Sequence, residues 1–168
     1  MKGRTGIDIA IAMLLRCALA AATLLAAMSA HALGSCTTSA SSTAFGSYNP
    51  FNAASVDSVG NVQVSCSLIG VISVNVSYTI ALSAGSGGSY ANRRLSGGGQ
   101  TLAYGLYTDP TRSTSWGDGS SGTSTVADGY LLGLLTVNRG YAVYGRIPGG
   151  QNVAPATYVD TVTVTVDY

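Results

Sequence analysis

Charged residues are scarce in this sequence of 168 residues. Asp, Glu, Lys and Arg together make up only 9% of it, against roughly a quarter in an ordinary soluble domain. With 46% hydrophobic residues, the chain is not a charge-rich disordered polymer. The residues after position 32 carry five Arg against six Asp, a net charge of −1, so they form no basic surface for nucleic acid. The length fits one domain of ordinary size.

The N-terminal segment has the organisation of a secretory signal peptide. Three basic residues precede an apolar stretch over residues 17–27, and an Ala-x-Ala cleavage site follows at residues 30–32. The apolar stretch is 11 residues long, whereas a bilayer requires about 20. We therefore predict a secreted protein with a signal peptide at residues 1–32 and a mature domain at residues 33–168 that has no transmembrane segment.

The side chains that usually perform acid–base catalysis are missing beyond position 32. The sequence there contains no His, Lys, Glu or Met. Asp109, Asp118 and Asp128 could serve a hydrolase as paired carboxylates, but each stands beside Gly or Pro in a pattern typical of turns. We therefore expect a protein that is not an enzyme, with no catalytic, cofactor-binding or metal-binding residues and with no cofactor.

Two cysteines, Cys36 and Cys66, remain after the predicted signal peptide. In an oxidising compartment they are expected to form one disulfide. In the loop-entropy account, a bridge that closes about 30 residues stabilises a fold by roughly 3–4 kcal/mol. Two thiols without His or Glu cannot complete the usual zinc ligand set, so a disulfide is the better interpretation.

Apolar residues recur at every second position along much of the chain after residue 60. This period is typical of half-buried strands, and it places Val62, Val64 and Cys66 on the same face of one strand. The same alternation covers residues 72–82 and 102–106. Residues 130–137 and 141–147 are predicted to form a hairpin around a turn at residues 138–140, and the last strand is predicted at about residues 157–168.

Gly- and Ser-rich segments separate these strands. Residues 83–100 are predicted to form a loop around Arg93 and Arg94, which we expect to make an ion pair with an Asp. Residues 108–129 form a second predicted loop. Six or seven short strands without an amphipathic helix predict an all-β fold, an antiparallel β-sandwich of the immunoglobulin-like type.

The predicted last strand is strongly amphipathic. Val162, Val164, Val166 and Tyr168 point one way, and threonines at the intervening positions point the other way. Two interpretations follow. Earlier strands could complete the core, so that this strand simply closes the sandwich, or the fold could be one strand short.

Six segments of the chain resemble a known family in the order in which that family has them. They are Phe45-Gly46-Ser47-Tyr48, Gly60-Asn61-Val62-Gln63-Val64-Ser65-Cys66, Leu102-Ala103-Tyr104-Gly105-Leu106-Tyr107-Thr108-Asp109, Trp116-Gly117-Asp118-Gly119, Tyr144-Gly145-Arg146-Ile147-Pro148, and Tyr158-Val159-Asp160-Thr161-Val162-Thr163-Val164-Thr165-Val166. Together they are similar to the spore coat protein U domain, the pilin module of archaic chaperone–usher pili. The resemblance covers nearly the whole predicted mature chain.

The resemblance implies an incomplete immunoglobulin-like β-sandwich that lacks its final strand. Such a subunit is held by a periplasmic chaperone, passes an outer-membrane usher, and is completed by a strand from a neighbouring pilin subunit, in a process called donor-strand complementation. It would become part of a surface pilus or coat. On this interpretation the donor-strand groove is flanked by Val162, Val164, Val166 and Tyr168, whose apolar side chains would aggregate if left uncovered.

A pilin that extends a fibre also needs a donor strand of its own before the domain. If cleavage follows Ala32, only three residues precede Cys36, and they span roughly 10 Å. That length is too short to fill a neighbour's groove. We therefore expect a tip or terminating position, or a coat protein outside a long pilus.

The chain has ten Tyr and one Trp, which could form an adhesive surface. Tyr90 and Trp116 lie in polar segments and are the candidates for exposed adhesive aromatics. The main alternative function is therefore a self-contained carbohydrate-binding or adhesin module whose core is complete without a partner. A further alternative is a spore or cell coat protein that is assembled without an usher.

Overall fold

Two antiparallel β-sheets make up most of the protein in a computed structural model, which describes residues 34–68 and 73–168. The larger sheet has the strand order β1-β2-β7-β5-β4, and the smaller has the order β6-β3-β8. The strands are β1 (Gly34–Ser41), β2 (Val56–Leu68), β3 (Val74–Leu82), β4 (Arg93–Gly97), β5 (Gln100–Tyr107), β6 (Val126–Leu132), β7 (Val137–Ile147) and β8 (Val164–Asp167). Within these residues the only helical turn is a 3₁₀ helix at Tyr90–Asn92. The predicted signal peptide lies outside the described residues.

The alternating residues of the strands form the hydrophobic core, as their period of two predicts. Buried side chains come from both sheets, with β2 and β5 of the larger sheet facing β3 of the smaller one. They are Val62, Val64, Cys66, Leu102, Tyr104 and Leu106 from β2 and β5, and Tyr78, Ile80 and Leu82 from β3. The prediction of an all-β, immunoglobulin-like antiparallel sandwich is confirmed.

The predicted disulfide between Cys36 and Cys66 is confirmed. The two cysteines are directly opposite each other in the β1–β2 register. Strand β1 has the composition Gly-Ser-Cys-Thr-Thr-Ser-Ala-Ser and no apolar alternation, so the sequence pattern did not predict it. The bridge fastens this polar edge strand to β2, whose side chains at positions 62, 64 and 66 are all buried.

The predicted hairpin between residues 130 and 147 is wrong. Residues 138–140 are not a turn, because they lie inside β7, where Asn138 pairs with Ser65 and Gly140 pairs with Gln63. Strands β6 and β7 belong to different sheets, so the connection over residues 133–136 crosses from one layer of the sandwich to the other. Residues that are common in turns are tolerated at these positions because each of them pairs with a residue of β2.

The predicted exposure of Trp116 is also wrong, because its side chain is completely buried. The indole Nε1 donates a hydrogen bond to the Ile80 carbonyl at 3.0 Å, and the backbone on either side of the ring pairs with Leu106 and Leu82. The backbone of this Ser- and Gly-rich segment therefore bonds to β5 and β3 while the ring enters the core. Part of the predicted loop 83–100 is likewise a strand, β4, which pairs with β5.

Removing the disulfide should destabilise the fold without changing its pattern of strands. We expect the double variant Cys36→Ala/Cys66→Ala to lose roughly 3 kcal/mol of unfolding free energy, because the unfolded chain regains the freedom of a loop of about 30 residues. The measurement is thermal unfolding followed by circular dichroism. The matched control is Ser35→Ala/Ser67→Ala, the neighbouring cross-strand pair. Equal melting temperatures for the two double variants would contradict the prediction.

Candidate functional site

Strand β8 is bonded on one edge only. It pairs antiparallel with β3, with Val164 opposite Leu82 and Val166 opposite Ile80. It stands last in its sheet, and no other described strand pairs with its outer edge. Val162, Val164 and Val166 pack against the core but remain partly exposed. The protein therefore presents an unpaired strand edge directly beside its hydrophobic core.

A cavity of about 350 Å³ opens beside this edge. Val162 and Val164 form one wall, and Ser41 and Thr43 belong to the opposite wall. Its floor consists of core side chains that are otherwise almost fully buried, namely Val62, Leu82, Leu106 and Val143. An apolar side chain entering this cavity would therefore contact both sheets of the sandwich.

A second cavity of about 1040 Å³ continues from the first. The two share five lining residues, namely Ser42, Thr43, Phe45, Leu95 and Asp160. The second cavity is lined by residues 42–51 on one side and by residues 152–160 on the other, with Leu102 and Ile147 of the core. We call the two cavities together the groove. It follows the last segment of the chain from Tyr158 to Val164.

Residues 42–51 form a fixed wall of the groove. The Phe45 ring packs edge-on against Tyr104 at 6.1 Å between ring centres, and it also covers Gly145 of β7. A Cβ atom at Gly145 would lie 2.7 Å from Phe45 Cζ, so this glycine makes room for the ring. The Tyr48 hydroxyl accepts a hydrogen bond from the Gln151 backbone N–H at 2.7 Å. These contacts hold the wall in place without a strand in the groove.

Asp160 lies in the lining of both cavities. Its Oδ2 accepts a hydrogen bond from the Tyr104 hydroxyl at 2.6 Å, and its Oδ1 accepts bonds from the backbone N–H groups of Ser86 (2.9 Å) and Thr161 (2.8 Å). Burial opposes ionisation of Asp160, but these hydrogen bonds outweigh it and hold the pKa of the carboxyl below its usual value. Burial and the bond to Asp160 raise the pKa of Tyr104 above its usual range. The groove therefore contains an ionised carboxylate.

The backbone on both sides of Asp160 is fixed to different strands. Val159 exchanges two hydrogen bonds with Ser96 of β4, at 2.8 and 3.0 Å. Thr163 exchanges two with Ser83, one through the Ser83 backbone N–H and one through its hydroxyl, both at 2.9 Å. The chain thus leaves β4 of the larger sheet and joins β3 of the smaller sheet within four residues. This crossing keeps the groove open between the two sheets.

The predicted groove residues differ in where the structure places them. Val162 and Val164 line the first cavity, whereas Val166 packs against the core without lining either cavity. The inward position expected for Tyr168 is not found, because its side chain is 69% exposed and lies beyond the end of β8. Tyr90, the other candidate adhesive aromatic, is half-buried beneath the Arg93 guanidinium, which lies 5.3 Å from the ring centre.

Sequence reasoning did not assign Phe45 and Asp160 to the groove. Asp160 had a readable signal, because it stands two residues before Val162 and so shares the inward phase of the valines. A carboxylate at an inward position of a strand requires hydrogen-bond partners, which mark it as unusual. Phe45 lies in an irregular segment after β1, and periodicity says nothing about such a segment.

Residues 34–68 and 73–168 lack two other features, a metal-binding cluster and a helix that could span a membrane. No cluster of three or more His, Cys, Asp or Glu side chains there is arranged to hold a metal ion. In the same part of the chain, no helix is long and apolar enough to cross a membrane.

Comparison with known proteins gives three findings. A sequence model of the Spore Coat Protein U domain matches residues 20–165. Protein U of Myxococcus xanthus is 36% identical over 131 residues, which cover 74% of this chain and 70% of that protein. A chain in the crystal structure of the CsuC–CsuE chaperone–tip adhesion subunit pre-assembly complex, from archaic chaperone-usher Csu pili of Acinetobacter baumannii, superposes with a TM-score of 0.53. That match is 24% identical and covers 81% of this chain but only 40% of the solved chain, so it supports the fold alone.

The Asp160 carboxylate should stabilise the fold at neutral pH but not in acid. Because its pKa is lowered in the folded protein, its contribution is present above the unfolded value of about 3.9 and is lost as the pH falls through the folded value. We expect Asp160→Asn to lower the unfolding free energy at pH 7 by about 1–3 kcal/mol, since a hydrogen bond to a charged group is replaced by a weaker one.

Urea unfolding from pH 7 down to pH 2 measures this effect. The difference between the wild type and Asp160→Asn should shrink as the pH falls below 4. Asp167→Asn, which changes an exposed carboxylate on β8, is the matched control. A difference that is independent of pH, or equal effects of the two substitutions, would show that the Asp160 charge has no such role.

Proposed function

Because this chain belongs to the Spore Coat Protein U domain family, we propose that it is a secreted structural subunit of a surface pilus or coat, completed by a strand from another polypeptide. The observation that carries the proposal is the unpaired outer edge of β8 beside a groove that reaches the core. The function is one of assembly, so it requires no catalytic residue and no cofactor.

An extended strand fits the groove better than a small molecule does. The last segment runs from Val159 to Asp167 in nine residues, which span about 30 Å when extended. An inserted strand could bond to the free edge of β8 through its backbone and place alternate side chains into the two cavities. A small ligand could occupy a cavity but would leave most of the strand edge unpaired.

The groove exposes side chains that a complete sandwich would bury. Complete burial of an exposed valine side chain is worth about 1.5–3 kcal/mol. The valines at positions 162, 164 and 166 are already half-buried, so an inserted strand would gain part of that free energy for each one, together with the backbone hydrogen bonds of the β8 edge. The uncovered edge would otherwise favour aggregation.

The proposed partners follow from the same groove. A periplasmic chaperone would cover it first, and a neighbouring subunit would then replace the chaperone. The solved complex of a Csu chaperone with a tip adhesion subunit supports a chaperone as a partner. We include an outer-membrane usher in this proposal. A tip or terminating position follows if the mature chain starts at Leu33, because only three residues then precede Cys36.

Sequencing the N-terminus of the secreted protein tests the terminal position. A mature chain that starts at Leu33 would be expected for a subunit that accepts a strand but donates none. A start near Thr23 would add Leu24, Leu25 and Met28 before the domain and would overturn the proposal of a terminal role.

A strand attached to the C-terminus should complete the sandwich without any partner protein. The design adds a short Gly-containing turn after Tyr168 and then an alternating Val/Thr strand of about 12 residues, which can run antiparallel along the free edge of β8. Exported to the periplasm, the fused chain should be a soluble monomer, and its melting temperature should exceed that of the unfused chain by roughly 10 °C. A fusion with the same residues in a scrambled, non-alternating order is the control.

Two substitutions in the fused chain locate the effect in the groove. Val164→Asp places a charge on the wall of the first cavity and should abolish the gain in melting temperature, whereas Thr165→Asp points outward on the same strand and should preserve it. If the unfused chain is already monomeric and melts at the same temperature as the fused one, the sandwich is complete by itself and the proposal fails.

A further inference from the structure

Asp160 interrupts an otherwise apolar row of inward-facing positions. Along the last segment, Tyr158, Val162, Val164 and Val166 all pack against the core, and Asp160 shares their phase. Its carboxylate lies where the two cavities of the groove meet. The groove therefore consists of two chambers with mixed apolar and polar linings and one anionic group where they meet.

The Asp160 carboxylate has acceptor capacity left over. An ionised carboxylate offers about four lone-pair directions. Three are used, by the Tyr104 hydroxyl and by the N–H groups of Ser86 and Thr161, and only one of these three bonds goes to Oδ2. One direction on Oδ2 therefore remains for a further donor.

No salt bridge in the described part of the chain involves this carboxylate, since the salt bridges there are made by Asp57 and Asp128. The buried Arg93 donates its hydrogen bonds to the carbonyls of Ser83 and Trp116 instead. Hydrogen bonds, together with a longer-range attraction from the Arg93 charge, thus stabilise the anionic group of the groove, and it can still interact with an incoming group.

The carboxylate is also fixed in position. Gly85, with a φ of +71°, packs so closely on Asp160 that a Cβ atom there would overlap Oδ2. The Tyr104 ring that holds Oδ2 is itself packed against Phe45. The remaining acceptor direction is therefore held in place before any strand arrives.

We propose that Asp160 sets the register of the inserted strand by accepting a hydrogen bond from one of its side chains. This inference rests on the proposed function. The inserted strand should carry an apolar side chain for each chamber and, between them in the same inward phase, a residue that donates a hydrogen bond, such as Ser or Thr. Side chains directly opposite each other on antiparallel strands have Cβ atoms about 4.5–5.5 Å apart, so a hydroxyl can reach the carboxylate.

A one-residue slip of the strand would turn its apolar side chains outward. A two-residue slip would keep them inward but would place an apolar group over Asp160, removing water from its free acceptor direction. Without Asp160, the intended register and the two-residue slip would fill the two chambers almost equally well. Asp160 therefore distinguishes between these two registers.

The fused chain described above provides the test. Thr, Val and Asp are placed in turn at the strand position opposite Asp160, and the same three residues are placed opposite Val162 as the matched control. Urea unfolding of each purified fusion at pH 7 gives its unfolding equilibrium constant. At the position opposite Asp160, we expect the unfolding equilibrium constant to be about tenfold smaller with Thr than with Val, and to be largest with Asp. At the position opposite Val162, the fusion with Val should be the most stable of the three.

The variant Asp160→Asn is the last part of the test. It should remove most of the penalty for Asp at the opposite position, because the charge repulsion is lost, while leaving the order opposite Val162 unchanged. If alternating fusions stabilise the chain but Val and Thr opposite Asp160 give equal stability, the proposed register role is wrong, while the proposal that the groove binds a strand is kept. If no alternating fusion stabilises the chain, the proposed function itself fails.

Discussion

The backbone of β8 is the constraint on which the rest of the structure depends. Peptide groups beside a hydrophobic core must find hydrogen-bond partners, and β8 has them on one edge only. The valines of the last segment are consequently half-covered, and the groove beside them reaches Val62 and Leu82 of the core. Residues 41–43 and Phe45 line the first cavity together with Val162 and Val164 and leave that edge accessible. This geometry supports the proposal that the groove accepts a strand.

Ser83 connects the buried interior to the start of β8. Its backbone N–H and its hydroxyl hold Thr163, while its carbonyl accepts hydrogen bonds from the Arg93 guanidinium at 2.7 and 3.3 Å. Arg93 is fully buried, and burial lowers the pKa of its guanidinium. A buried charge is tolerated when hydrogen bonds compensate for lost water, and here carbonyl oxygens rather than a carboxylate do so. The same guanidinium thus stabilises the core and the corner from which β8 departs.

The sequence predicted those features that follow from periodicity, and it failed where tertiary pairing decided. The alternation around Val62 and Ile80 identified strands and their inward faces, and cysteine counting identified the bridge. Trp116 and Arg93 were misplaced because polar neighbours indicate a loop, although both side chains are buried and donate hydrogen bonds to backbone carbonyls. Residues 138–140 have turn composition, but their pairing with residues 63–65 of β2 overrides it. The groove wall at Phe45 depends on contacts with Tyr104 and Gly145, which no local pattern encodes.

The scarcity of charge gives the groove carboxylate its significance. Asp57 is bonded to the guanidinium of Arg146 at 2.7 and 2.8 Å, and Asp128 lies 3.9 Å from Arg139. Asp109 and Asp118 accept hydrogen bonds from hydroxyl and N–H groups of their own loops. These four carboxylates serve local structure, whereas Asp160 lies in the groove and retains an acceptor direction. The carboxylate therefore has two roles: its three hydrogen bonds stabilise the fold, and its position in the groove lets it interact with the strand that we propose enters there.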